Sequence, residues 1–159
     1  MDIVNEDDQV IGSCPLDEIY EKRHVHRVAH VLVYNEAGQL ALQLRSATKS
    51  FLPGHWCTSA GGRVSAGESY EAAARREARE ELGVDLELTF LARPLYRDHE
   101  RGLSIFQGVY SARHEGPFTV SAREVDLIRF VAVPELHAMI ERGEKIHPEL
   151  LSLVQEGLV

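Results

Sequence analysis

Residues 62–84 read GRVSAGESYEAAARREAREELGV. From Ser69 to Leu82 this run is rich in Ala, Arg and Glu, and Gly83 follows as a stop, so it predicts a helix. Side chains at i, i+3 and i+4 of a helix share one face. Glu77, Glu80 and Glu81 have that spacing, with Ala73 on the same side, while Ala74, Ala78 and Leu82 form a neighbouring stripe expected to face a core. Carboxylates placed this close repel one another. A chain that keeps them beside an apolar stripe is expected to neutralise them, and hard oxygen donors select Mg²⁺, Mn²⁺ or Ca²⁺ over softer metals. The competing reading of the helix alone is a solvated Arg/Glu surface with pairs such as Arg76 to Glu80.

The flanking sequence sets this helix in a mixed architecture. Residues 2–5 and 9–12 read as a short N-terminal β-hairpin around Asn5-Glu6-Asp7-Asp8. Pro15 to Tyr20 can start a short helix. Val25 to Tyr34 is β-branched and apolar, and Gln39 to Arg45 alternates with period 2, with a turn between them. Thr48 to Trp56 contains Pro53-Gly54 and reads as a loop. Residues 86–96, 103–112 and 127–133 are strand candidates, and helices are expected from Pro134 and from His147-Pro148. Without a regular βαβ alternation, the pattern fits an α+β fold, an α/β/α sandwich with a mixed central sheet. No repeat or linker-like tract interrupts it, so residues 1–159 are expected to form one domain.

Composition narrows the function classes. The chain has 17 Lys+Arg against 25 Asp+Glu, a net charge of −8, which argues against nucleic acid polymers and anionic membranes as partners. No apolar run approaches membrane-span length, and the acidic start, MDIVNEDDQV, is unlike a signal peptide. Two cysteines, Cys14 and Cys57, make no disulfide framework, so a reducing cytoplasm is the expected compartment. Residues 1–20 hold six acids and no Lys or Arg, and are expected to be solvated surface. Residues 21–60 hold five bases and two acids, a local +3.

The spacing Gly62, five residues, Glu68, seven residues, then Arg76-Glu77-Ala78-Arg79-Glu80-Glu81-Leu82-Gly83-Val84 resembles the Nudix box. Every fixed residue of that pattern is present, and only Ala78 is smaller than the aliphatic residue usual at its place. The resemblance implies an α/β/α Nudix fold and a hydrolase that cleaves a diphosphate linkage in a nucleoside diphosphate derivative or similar small molecule, using Mg²⁺ or Mn²⁺. It implies that Glu80 and Glu81 are the principal metal ligands and that Glu77 is a further ligand or base. It makes Glu68 a carboxylate that holds the helix or assists as base, and Arg76 the guanidinium that orients a box glutamate. Gly62 becomes the glycine whose backbone approaches the metal. Glu124 is a candidate extra ligand or base, though a lone acidic loop residue is more often solvated. Oligomeric state is left open, a homodimer included.

Outside the box, residues 2–12 and Arg45 to Trp56 resemble isopentenyl diphosphate isomerase and the isomerase-like Nudix hydrolases. That resemblance implies that Arg45 and Lys49 hold the diphosphate, and it places His26 at a metal-ligand position of the isomerase. The isomerase reading itself fails, because Gly61 stands where its catalytic cysteine would be and Arg63 where its neighbouring metal-binding histidine would be. A non-catalytic nucleotide sensor would be expected to have lost box glutamates, and none is lost. The marker residues of ADP-ribose and dinucleoside polyphosphate hydrolases would fall near His99 and Arg101, and neither is present.

Overall fold

In the computed structural model, which describes residues 1–159, the elements run in the order β1 (Asp2–Val4), β2 (Val10–Ser13), α1 (Leu16–Glu21), β3 (His26–Tyr34), β4 (Leu40–Arg45), β5 (Trp56–Cys57), β6 (Ala60–Arg63), α2 (Tyr70–Leu82), β7 (Thr89–Ala92), β8 (Leu95–Asp98), β9 (Leu103–Arg113), β10 (Val125–Val131), α3 (Val133–Glu141) and α4 (Pro148–Gln155). The main sheet follows the path β10-β4-β3-β9-β7, with β5 on β4, β6 on β3 and β8 on β9. Its central pair, β3 and β9, is parallel from His26↔Ile105 to Tyr34↔Arg113, and the other pairings are antiparallel. The sheet is therefore mixed, as expected.

Both faces of β3 are buried, which is why it reads as a nearly continuous apolar run. Ala29, Val31 and Val33 pack with Ala73, Ala74, Ala78 and Leu82 of α2. Leu32 points the other way and packs with Leu136 and Met139 of α3 and with Leu150 and Leu153 of α4. The layers are thus α2, sheet, α3 with α4. Helix α2 is held at both ends by local chemistry. The Ser69 hydroxyl accepts from the Ala72 amide, and Gly83 closes the C-terminus in the left-handed conformation with φ 68°. Ser69→Ala is expected to cost about 1 kcal/mol, read as a lower midpoint in denaturant melts with an unchanged slope.

Two features were not legible in advance. The strands β5 and β6 lie in a stretch whose Pro, Gly and small residues carry no period-2 pattern. The acidic N-terminus is also less solvated than its charge suggests. Asp8 is buried, and its carboxylate meets Arg27 Nε at 2.6 Å, Arg93 Nη1 at 2.8 Å and the Tyr70 hydroxyl at 3.1 Å. This corrects the expectation for residues 1–20 at one position: Asp8 ties the hairpin to β3 and to the start of α2. No helix is long and apolar enough to cross a membrane.

Candidate active site

The site originates in a split of the sheet. Strands β3 and β4 pair only at Tyr34↔Leu40 and then diverge. Beyond that point β6 takes the edge of β3 across Val28–Val31, and β5 takes the edge of β4 at Gln43 and Leu44. A cleft of about 1230 Å³ opens along the split, with Gln43, His30, Thr58, Gly61 and Gly62 in its lining. Because it passes between strands, side chains from both helix layers reach it. Glu77, Glu80 and Glu81 come from α2, and His147 and Glu149 from the start of α4.

The three glutamates sit at graded depths. Glu81 is buried, and its Oε2 accepts from the Gly61 amide at 2.9 Å and from Gln43 Nε2 at 3.1 Å. Burial raises its carboxyl to about 8, with the charges of Glu77 and Glu124 adding to the rise and the two donors opposing it. Glu77 is also raised by burial, against the pull of Arg76. Glu80 is 57% exposed at the cleft wall. Gln43 Oε1, buried beside Glu81, has no hydrogen-bond partner.

Arg76 organises the region behind them. Its Nε and Nη2 donate to the two oxygens of Glu68 at 3.0 Å each, its Nη1 donates to Glu77 Oε1 at 2.6 Å, and Nη2 also donates to the Arg63 carbonyl. Glu68 in turn accepts from the Ser65 amide at 2.9 Å, and the Arg76 hydrogen bonds hold its carboxyl below the usual range. Glu68 does not line the cleft, which separates it from Glu77, Glu80 and Glu81. A Cβ added at Gly62 would collide with the Glu77 carboxylate.

The cationic rim is formed by Arg45 and Lys49, both in the lining. Arg45 donates through Nε and Nη2 to the Phe51 carbonyl at 3.2 and 3.0 Å. Lys49 is paired with Glu124. Glu124 is therefore not the solvated loop charge its sequence context suggests: it lines the cleft and adds to the field at Glu81. His26 also lines the cleft, yet it is buried, lies 3.0 Å from the His24 carbonyl through Nδ1 and is lowered by burial. Cys57 is buried with its thiol pushed up by desolvation, as suits a small apolar residue. One compact triad of metal-ligand side chains, Cys14, Glu18 and His24, lies outside this set, and there Glu18 is already paired with Lys22 at 2.7 Å.

A family model described as the NUDIX domain matches residues 24–154, which contain this whole cleft apart from its N-terminal rim. The chain belongs to the Nudix family. A Nudix hydrolase of Deinococcus radiodurans is 34% identical over 157 residues, covering 98% of this chain and 91% of the relative. A protein of Pseudomonas aeruginosa described as an uncharacterized Nudix hydrolase is 38% identical over 153 residues, covering 96% and 89%. A crystal structure from Deinococcus radiodurans superposes with a TM-score of 0.85 at 32% identity, covering 98% of this chain and 97% of that one. A MutT protein from Methanosarcina mazei, at 20% identity and a TM-score of 0.67, shares the fold. The protein is thus a Nudix hydrolase, an enzyme class acting on anhydride bonds in phosphorus-containing compounds.

Within this Nudix fold, Gly61 bears on the isomerase resemblance. A Cβ there would lie 2.7 Å from His30 Nδ1 and 3.0 Å from the Ala29 carbonyl. The space a cysteine would need is already occupied. The residues that sequence reasoning missed are His30, His147 and Glu149. His30 Nε2 lies 3.0 Å from Glu149 Oε2. Three imidazoles, His30, His147 and His26, oppose the desolvation of Glu149, and its carboxyl falls to about 2. His147 caps α4 by accepting from the Glu149 amide through Nδ1, and burial lowers it to about 4. One signal was available: two histidines, four residues apart, on the same face of an otherwise buried strand.

Proposed function

We propose that this Nudix hydrolase cleaves a diphosphate linkage in a nucleoside diphosphate derivative or similar small molecule by attack of water at phosphorus. In this reading Glu77, Glu80 and Glu81 hold Mg²⁺ or Mn²⁺, with the Gly62 backbone alongside. The observation that carries it is the buried carboxylate of Glu81. It has only neutral donors within reach, lies in the field of two further carboxylates and still opens on a cleft with cationic residues at its rim. Such a donor set fits a hard divalent cation. When bound, the ion neutralises charge developing on the phosphoryl oxygens and acidifies the attacking water.

The remaining residues have separate tasks. Glu68 clamps Arg76 with two hydrogen bonds, and Arg76 then fixes the Glu77 carboxylate, so the pair positions the ligand set from behind. The glycine at 62 leaves room for that carboxylate. Arg45 and Lys49 supply a planar fork and a point charge for the diphosphate oxygens. For this, Lys49 exchanges Glu124 for substrate. The test is a panel of diphosphate compounds assayed for bond cleavage with and without metal. Cleavage of at least one compound is expected only with Mg²⁺ or Mn²⁺ present, and undiminished cleavage in chelator would overturn the proposal. Isopentenyl diphosphate is expected to yield no isomer.

A further inference from the structure

Beside Gly61, where β3 faces the start of α4, the cleft wall carries unused hydrogen-bonding capacity. The Thr58 hydroxyl lies 3.2 Å from the Ala60 carbonyl and 3.0 Å from His30 Nδ1, so Nδ1 has its partner within the protein. The other ring nitrogen, Nε2, faces Glu149. Their 3.0 Å approach is out of line with the ring N–H, so the buried Nε2 has no aligned hydrogen bond. Glu149 has no other cationic side chain within ion-pair distance. Leaving the buried Nε2 unsatisfied costs free energy that a bound partner recovers.

We propose that the His30–Glu149 pair is a binding subsite for the vicinal hydroxyls of a substrate sugar. It rests on the hydrolase reading and deepens it, because it concerns the part of the substrate beyond the diphosphate. A phosphate would meet the Glu149 carboxylate head-on. A hydroxyl both donates and accepts, so two adjacent hydroxyls match the pair in either protonation state. One donates to Glu149 while the other donates to, or accepts from, His30 Nε2. The cleft volume of about 1230 Å³ exceeds the common range of small-ligand sites, so space exists for a sugar beside the diphosphate. The lining then divides the work: the cations and metal take the anionic part of the substrate, and the histidine–carboxylate pair takes its hydroxyls.

The experiment compares a ribonucleoside diphosphate, its 2′,3′-dideoxy counterpart and a sugar diphosphate without a base, in wild type, Glu149→Gln and His30→Ala. Binding is measured by calorimetry without metal, and KM and kcat with Mg²⁺. Wild type is expected to bind the ribose compound at least about tenfold more tightly than the dideoxy compound. Glu149→Gln should remove most of that difference, as a loss in KM more than in kcat. If the sugar diphosphate shows the same sensitivity, the subsite reads sugar hydroxyls rather than nucleosides. Equal wild-type affinity for the ribose and dideoxy compounds overturns the subsite, and that comparison stands even if a variant fails to fold. Discrimination in binding without cleavage of any compound would retain the subsite while rejecting the hydrolase reading.

Discussion

Glu80→Gln and Glu81→Gln are each expected to lower metal-supported turnover by at least about a hundredfold, the scale of losing one preorganised group that stabilises developing charge. The two should differ in everything else. Glu80 is 57% exposed and its nearest cation, Arg76 Nη1, is 3.5 Å away, so its loss should change stability by no more than tenths of a kcal/mol. Glu81 is buried between the Gly61 amide and Gln43, and a glutamine oxygen can still accept from that amide. Glu81→Gln should therefore fold, and at neutral pH without metal it should be at least as stable as wild type. Steady-state kinetics over a metal titration, paired with thermal melts, measures both quantities. Near-normal turnover in both variants would reject the metal assignment.

In the metal-free protein Glu81 should withdraw stability as pH rises from 4.5 through about 8, by up to a few kcal/mol, a contribution read as the difference between wild type and Glu81→Gln. The sign follows from Glu81, whose carboxyl is lifted from 4.5 to about 8 in the folded state. Below 4.5 the group is protonated whether the chain is folded or not, and contributes nothing. Between the two values the folded state holds a proton that the unfolded state has released, so stability falls with pH. Above about 8 both states are ionised and the full desolvation cost remains. His147, lowered from 6.5 to about 4, adds stability over the lower part of this range, so melting temperatures from pH 5 to pH 9 should show the Glu81 contribution as wild type falling progressively relative to Glu81→Gln. Mg²⁺ should restore wild-type stability at the alkaline end, because an ion that binds only the folded state stabilises it. A pH profile identical in the two proteins would show that Glu81 is not the group responsible.

Much of the fold was legible because its signals are local. The helix of residues 69–82 follows from composition, the Ser69 cap and Gly83, and it appears as Tyr70–Leu82 with Ser69 as N-cap. The strands β3, β4 and β9 and the helices α3 and α4 lie within a few residues of the expected positions. The spacing of Glu77, Glu80 and Glu81 placed them together on α2, as found. What the spacing could not give was their depth. Glu81 is buried and Glu80 exposed on one helix because the Gly61 amide of β6 meets Glu81 alone, a contact between segments twenty residues apart.

The amino-acid order by itself determined the box, the family it marks and the helix that carries the glutamates. These depend on neighbours within a turn or two, where side-chain direction follows from backbone geometry alone. Tertiary structure decided the rest. It removed Asp8 from the solvated N-terminal surface by surrounding it with Arg27, Arg93 and Tyr70. It brought Glu124 from a loop to Lys49 at the cleft rim. It also set His30 of β3 against Glu149 of α4, residues more than a hundred positions apart. The physical reason is the divergence of β3 from β4: only where the sheet opens can side chains from the two helix layers face one cavity, and no local pattern encodes where two distant strands part.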